Sequence, residues 1–78
     1  MAEHMQAVKT IWNLEYKSFS GVPHRLLVEN PNEIHDMLRF IKGKSDTVKM
    51  TETRTCDAMP GLVFTKENII DIDLLFND

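Results

Sequence analysis

The sequence predicts an α+β fold in which one helix packs on a largely antiparallel sheet of four or five strands. Two observations predict this class. One segment has the apolar spacing and the end signals of a helix, and segments on both sides of it alternate between polar and apolar residues. The predicted element order is ββαβββ. A hairpin, a helix and further strands follow one another in the β-grasp architecture, which is the leading interpretation within this class.

The predicted helix covers residues 30–43. Asn30 is a favourable N-cap, Pro31 suits the first helical position, and Glu33 stands where a capping box has its acidic residue. Apolar residues follow at positions i, i+3, i+4 and i+7, which places them on one face of the helix: Ile34, Met37, Leu38 and Ile41. Gly43 provides the C-terminal stop.

Two strands are predicted before the helix and one directly after it. Residues 8–17 alternate in polarity with a period of two, and one face of this segment is bulky: Val8, Thr10, Trp12, Leu14 and Tyr16. Residues 25–29 form the second strand and pair with the first as a hairpin across a loop that contains Gly21 and Pro23. Residues 47–55 alternate as well, and their threonines indicate an edge strand or a strand with one exposed face.

Two further strands are predicted after a turn at residues 58–61. Residues 62–65 form a short apolar strand, and residues 66–68 form another turn. The last strand has one alternating apolar face: Ile70, Ile72, Leu74 and Phe76. Its opposite face carries Asp71 and Asp73, about 7 Å apart along the strand. Such a pair could assist acid–base chemistry or hold a cation, but we interpret it as the solvated face of a strand.

Composition places the chain among globular domains. Of its 78 residues, 42% are hydrophobic and 27% are charged, and no apolar run approaches the roughly 18 residues of a membrane span. We therefore expect one domain with no membrane segment and no signal peptide. The single cysteine, Cys56, excludes an intrachain disulfide bond and favours a reducing compartment, hence the cytoplasm. His4-Met5 is a dipeptide that a common cloning site encodes, so we interpret residues 1–4 as a cloning remnant and residues 5–78 as the domain.

The chain has few residues with which to build a catalytic or cofactor site. His24, His35 and Cys56 lack the spacing of zinc ligands, and Cys56 is more simply a packing thiol than a nucleophile. The three glycines form no phosphate-binding pattern. We therefore expect a protein without enzymatic activity, cofactor or metal ion, which acts by binding.

Charge is unevenly distributed along the chain, although the formal net charge is only −3. Basic residues predominate between residues 39 and 54, and four of them are candidate phosphate contacts: Lys42, Lys44, Lys49 and Arg54. These residues motivate one hypothesis, a nucleic-acid-binding regulator. The isoelectric point of about 5.5 argues against it, so nucleic acid is the less favoured partner.

The C-terminal segment motivates the preferred hypothesis, a protein that binds another protein. The segment is acidic and rich in apolar residues, and its candidate contact residues are Glu67, Asp71, Asp73, Leu75 and Phe76. Apolar residues flanked by carboxylates suit an interface that buries apolar surface and is steered by charge. A third interpretation is a homodimer that pairs through an exposed strand edge, since a domain this small is only marginally stable alone.

Leu75-Phe76 resembles the end of the peptide by which bacterial proteins dock on the replication sliding clamp, which reads glutamine, leucine, serine or aspartate, leucine and phenylalanine. In its length and its content of Ile, Lys, Asn and Asp, the whole chain resembles the small early proteins with which phages of low-GC bacteria disable host machinery. Inhibitors of the clamp are among those proteins. The resemblance implies a phage-encoded protein of the host cytoplasm that blocks DNA replication, without catalysis, by occupying the clamp's peptide pocket or its DNA channel.

Overall fold

The computed structural model describes residues 8–56 and 63–77, which form an α+β fold with one four-stranded sheet. The elements in chain order are β1 (Val8–Lys17), β2 (Pro23–Val28), α1 (Ile34–Ile41), β3 (Thr47–Cys56), β4 (Val63–Asp71) and α2 (Ile72–Leu75). The predicted fold class is confirmed, but the described order, ββαββα, has one strand fewer than predicted and an additional short helix. The predicted turn at residues 58–61 and the suspected remnant at residues 1–4 lie outside the described residues.

The strands lie in the order β2-β1-β3-β4, and every neighbouring pair is antiparallel. β1 and β3 are therefore the central strands of the described sheet, and β2 and β4 are its edges. The connection through α1 leads from β2 across β1 to β3. The β-grasp architecture has a parallel central pair of strands, so this chain shares its element order but not its strand directions.

α1 forms where the sequence predicts it, but the turn that precedes it is tighter than an α-helix. Pro31–Glu33 is a 3-10 turn, and the Asn30 side chain caps it by accepting a hydrogen bond from the Asn32 backbone N–H at 3.0 Å. Glu33 makes no side-chain capping bond, so the predicted capping box does not form. Gly43, at φ +90°, ends the helical segment as predicted, because glycine adopts this left-handed conformation without strain.

The core lies between α1 and the sheet face that carries the even-numbered strand residues. Its buried side chains are Leu14, Tyr16, Val28, Leu38, Ile41, Val48, Ile72 and Phe76. The predicted apolar stripe of α1 supplies Leu38 and Ile41, while Ile34 and Met37 are partly buried against the same cluster. Burying one large aliphatic side chain contributes on the order of 2 kcal/mol, so this layer holds α1 on the sheet.

The C-terminal part of the chain differs from the prediction. Residues 66–68 are not a turn but the middle of β4, where they pair in register with residues 50–52. β4 ends at Asp71, whose carboxylate accepts a hydrogen bond from the Leu74 backbone N–H at 3.1 Å and caps α2. The strand predicted for the last residues is therefore wrong beyond Asp71.

The apolar spacing at this point of the sequence fits two kinds of structure. Ile72 and Phe76 stand four residues apart, which places them on one face of a strand and equally on one face of a helix. A capping aspartate at position 71 favours the helix, and in that conformation both apolar side chains reach the core. Polar residues 66–68 occur inside a strand because β4 lies at the sheet edge, where most of its side chains reach solvent.

Candidate binding surfaces

The residues of the predicted protein interface separate into an exposed group and a buried one. Glu67 lies in the middle of β4, and Asp71 ends this strand. Asp73 and Leu75 are exposed on α2, whereas Phe76 belongs to the core. The first four residues therefore follow one another along one margin of the molecule, and the fifth is packed inside it.

Glu67 belongs to a short chain of charges on the sheet face that α1 does not cover. The Lys49 Nζ atom lies 3.6 Å from Glu67 Oε2 and 3.8 Å from Glu15 Oε1. Because all three side chains are about half exposed, water screens both ion pairs, and each contributes roughly 0–1 kcal/mol. Glu67 is therefore available to a partner at little expense to the fold.

Asp71 has a structural role, because it is the N-cap of α2. The hydrogen bond from the Leu74 backbone to its carboxylate is of a kind usually worth about 1 kcal/mol. Asp73 lies in the first turn of α2, so the two carboxylates do not share one face of a strand. The paired arrangement considered for acid–base chemistry or cation binding is therefore not formed.

Phe76 packs against α1 and exposes only 8% of its surface. Its ring centroid lies 5.3 Å from that of His35, 4.9 Å from Arg39 Cζ and 5.7 Å from Lys42 Nζ. Similarity to the clamp-docking peptide would require Leu75 and Phe76 to be presented together. The structure presents only Leu75, which is 47% exposed, so the role assigned to Phe76 as a contact residue is corrected to one in core packing.

The four candidate phosphate contacts are divided between the two faces of the sheet. Lys42 and Lys44 follow α1, and each lies over a phenylalanine ring, at 5.7 Å and 4.2 Å from the ring centroid. Lys49 is on the uncovered face. Arg54 is on the opposite face, where its Nε atom lies 2.6 Å from the Glu52 carboxylate. These cations do not form one continuous basic surface.

The two histidines outside the suspected remnant are aromatic packing partners in different parts of the molecule. The His24 ring stacks on Tyr16, with centroids 5.1 Å apart, and His35 lies against Phe76. Cys56 is the last residue of β3 and is half-buried. Within the part of the chain that the structure describes, no group of three His, Cys, Asp or Glu side chains is placed to hold a metal ion.

A depression near the end of the sheet carries charges of both signs. Its lining includes Lys17, Arg25 and Lys49, together with Glu15 and Ile69. Lys49 is paired with Glu15, and Arg25 stands directly opposite Glu15 in the β1–β2 register. The depression therefore has no clear preference for an anionic or a cationic ligand.

The outer side of β4 extends the predicted C-terminal interface along a continuous strand edge that the sequence did not indicate. β4 has nine residues, pairs one to one with β3 along its whole length, and has no described strand on its other side. Its exposed large side chains are Val63, Phe64 and Ile69. A long, regular edge of this kind is where a further strand can add. The available signal was the β-branched and aromatic residues at both ends of β4, which polar residues 66–68 obscured.

A groove between α1 and the β1–β2 hairpin is a second surface, and the sequence did not predict it. Three apolar and three basic side chains contribute to its lining: Val22, Leu26, Phe40, His24, Arg25 and Lys44. They come from separate segments of the chain, so no local motif marks them. No acidic side chain lines this groove among the described residues. Asp36 lies one turn before Phe40 on α1, outside the lining.

None of the described helices is long and apolar enough to cross a membrane. Comparison with known proteins identifies no family model that matches the chain, no similar curated protein and no similar solved structure. The functional interpretation therefore depends on the two surfaces described above, the outer side of β4 with α2 and the groove beside α1.

Proposed function

We propose that this chain is a small, non-catalytic binding protein that docks on another protein through the β4–α2 margin. This margin comprises the exposed residues Glu67, Ile69, Asp71, Asp73, Leu74 and Leu75. The observation that carries the proposal is the continuity of the surface. A nine-residue edge strand runs directly into a helical turn, and apolar side chains are exposed on both.

The margin offers three kinds of interaction to a partner. The outer backbone N–H and C=O groups of β4 can pair with an added strand, which supplies affinity without requiring a particular sequence. Ile69 and Leu74 expose 71% and 72% of their surfaces, and covering them contributes about 25 cal/mol per Å² of apolar area. The carboxylates of Glu67 and Asp73 favour a basic partner surface and accelerate its approach.

Within this proposal the partner is a protein of a phage-infected bacterium, and docking inhibits it. The replication sliding clamp is the specific candidate, on the resemblance stated above. An acidic margin complements a basic DNA channel. Leu75 is exposed and Phe76 is buried, so we assign docking to the margin as a whole rather than to a peptide-like Leu-Phe pair.

A second copy of the chain is a less favourable partner for β4 than a different protein. In an antiparallel pairing of β4 with itself across a two-fold axis, the residue at the centre faces its own copy. The middle residue of the strand is Glu67, so a centred pairing places Glu67 opposite its own copy, and like charges in this position are destabilising. The homodimer hypothesis therefore receives less support than a heterologous complex.

Nucleic-acid binding also receives less support than protein binding. The candidate contacts Lys49 and Arg54 lie on opposite faces of the sheet, and each is paired with a glutamate. These two cations therefore do not form a continuous unpaired basic surface on which a phosphate backbone could bind. A fluorescent oligonucleotide titrated with the protein at low salt distinguishes the two hypotheses, since protein docking predicts no binding there.

The proposed docking is tested with purified sliding clamp and the immobilised chain, by surface plasmon resonance. We expect Ile69→Arg to weaken binding at least tenfold, because it removes apolar surface from the margin and adds a charge that repels a basic partner. The matched control is Leu27→Arg on the other edge strand, β2, where the side chain is similarly exposed, by 66%. We expect this variant to bind within twofold of the parent chain.

The possible results of this experiment test two claims separately: that the chain docks through the β4–α2 margin, and that its partner is the sliding clamp. If the clamp does not bind but another bacterial protein does, and only Ile69→Arg prevents its binding, the clamp is wrong and docking through the margin stands. If Leu27→Arg and Ile69→Arg weaken binding equally, the margin is not the interface. Absence of any protein partner would overturn the proposed function.

A further inference from the structure

α1 has two flanks with similar side chains, and only one flank is covered by a described element. His35, Arg39 and Lys42 lie on the flank towards β4, where they contact Phe76. Phe40 and Lys44 lie on the flank towards β2, where they line the groove beside the β1–β2 hairpin. The two flanks can therefore be compared directly within one molecule.

The covered flank shows what such a surface accepts. The covering segment runs from Asp71 to Phe76, and Phe76 is the residue that contacts α1. The Asp71 and Asp73 carboxylates are exposed, and that of Asp71 caps α2. The Phe76 ring lies close to two cationic side chains, Arg39 and Lys42, and packs against the His35 ring. Cations over an aromatic face and apolar contacts below it stabilise this arrangement together.

The open flank presents the same components without an occupant among the described residues. Phe40 is 51% exposed, and Lys44 Nζ lies 4.2 Å from its ring centroid. Val22 and Leu26 form apolar walls, and Arg25 contributes a second cationic side chain to the lining. The groove has a volume of about 620 Å³, within the range of sites that enclose a small ligand or a few residues of a peptide.

We propose that this groove binds an acidic peptide segment of a partner protein, with an aromatic or large aliphatic side chain as its anchor. The anchor lies between Phe40 and the Val22–Leu26 side of the groove. Flanking carboxylates lie near Lys44, and no acidic residue belongs to the lining. Arg25 also lines the groove, although it stands opposite Glu15 in the β1–β2 register. The site is separate from the β4–α2 margin, so it goes beyond the proposed function and does not depend on it.

The probe is a fluorescein-labelled synthetic peptide with the sequence of residues 71–77, because this segment joins two carboxylates to Phe76, the side chain that the covered flank holds. Fluorescence anisotropy of the peptide is followed as the full chain is added. We expect saturable binding that weakens as salt is raised. A control peptide in which lysine replaces both aspartates is expected to bind at least tenfold more weakly.

Two lysines on opposite flanks of α1 supply the matched pair of protein variants. Lys44→Glu reverses a charge in the open groove and is expected to weaken peptide binding at least tenfold. Lys42→Glu makes the same change two residues away, over Phe76, and is expected to leave binding within twofold. Circular dichroism confirms that both variants are folded, and NMR shifts caused by the peptide are expected near Val22, Leu26 and Phe40.

Three results would overturn this inference. One is the lack of saturable binding up to about 1 mM peptide, which corresponds to an affinity too weak for a specific site. The second is an equal effect of the two lysine variants, with NMR shifts near His35 and Arg39, since the peptide would then replace α2. The third is dimerisation of the chain itself in sedimentation, abolished by Lys44→Glu, which would make a second copy the occupant.

Discussion

Phe76 and Phe40 lie on opposite flanks of α1, and each has a lysine over its ring. Phe76 is buried, whereas Phe40 is half exposed. The difference arises because the segment after α2 places Phe76 against one flank of α1, whereas no described element covers the other flank. Similar local chemistry therefore stabilises the fold on one flank and is left accessible on the other, where we propose a binding surface.

The largest expected change in the free energy of unfolding distinguishes the two phenylalanines. Phe76→Ala leaves a cavity in the core, and we expect it to lower the free energy of unfolding by about 3 kcal/mol. Phe40→Ala removes a half-exposed side chain, and we expect a loss of less than about 1 kcal/mol. Urea unfolding followed by circular dichroism measures both values. Equal losses would mean that the two flanks do not differ as described.

A smaller change in the free energy of unfolding is expected from the N-cap of α2, the helix that precedes Phe76. Asp71→Ala removes the N-cap of α2, and we expect the free energy of unfolding to fall by about 1 kcal/mol. Asp71→Asn keeps a side-chain oxygen that accepts the Leu74 N–H bond, so it serves as the control and should stay close to the parent chain. A similar loss in both variants would attribute the effect to the charge of Asp71 rather than to capping.

The smallest effect concerns the cations over the two rings. Arg39→Gln removes a guanidinium from a buried ring, and we expect a loss of about 0.5–1 kcal/mol in thermal or urea unfolding. Lys44→Gln removes a cation from an exposed ring, where water competes, and we expect a smaller loss. We expect Arg39→Gln to lower stability more than Lys44→Gln does. The reverse order would contradict the described difference between the two flanks.

The sequence was sufficient to predict β1, β3 and α1, because each has one unambiguous period over eight or more residues. It was not sufficient for the C-terminal segment, where Ile72 and Phe76 satisfy the strand and helix periods equally. The acidic contact residues Glu67 and Asp73 are exposed as predicted, but the burial of Phe76 depends on this residue packing against α1 after the short helix α2.

The groove beside α1 could not be predicted from any local pattern. Val22 belongs to the hairpin loop, Leu26 to β2, and Phe40 to α1. Strand order and the placement of the helix bring them together, and neither is encoded in the spacing of a single segment. One feature of the groove was nevertheless present in the sequence. Phe40 is an aromatic residue that lies outside the apolar stripe predicted for the helix.

No residue separates β4 from α2, because Asp71 both ends the strand and caps the helix. A slip of one position in the ladder between β3 and β4 would turn Ile72 away from the core and reverse the face of every β4 side chain. The fully buried Ile72 thus acts as an end stop that holds the outermost strand in a single alignment. A partner that adds a strand to β4 would therefore meet each side chain at a fixed position along the strand. The edge could then discriminate among partners by the spacing of their side chains as well as by their composition.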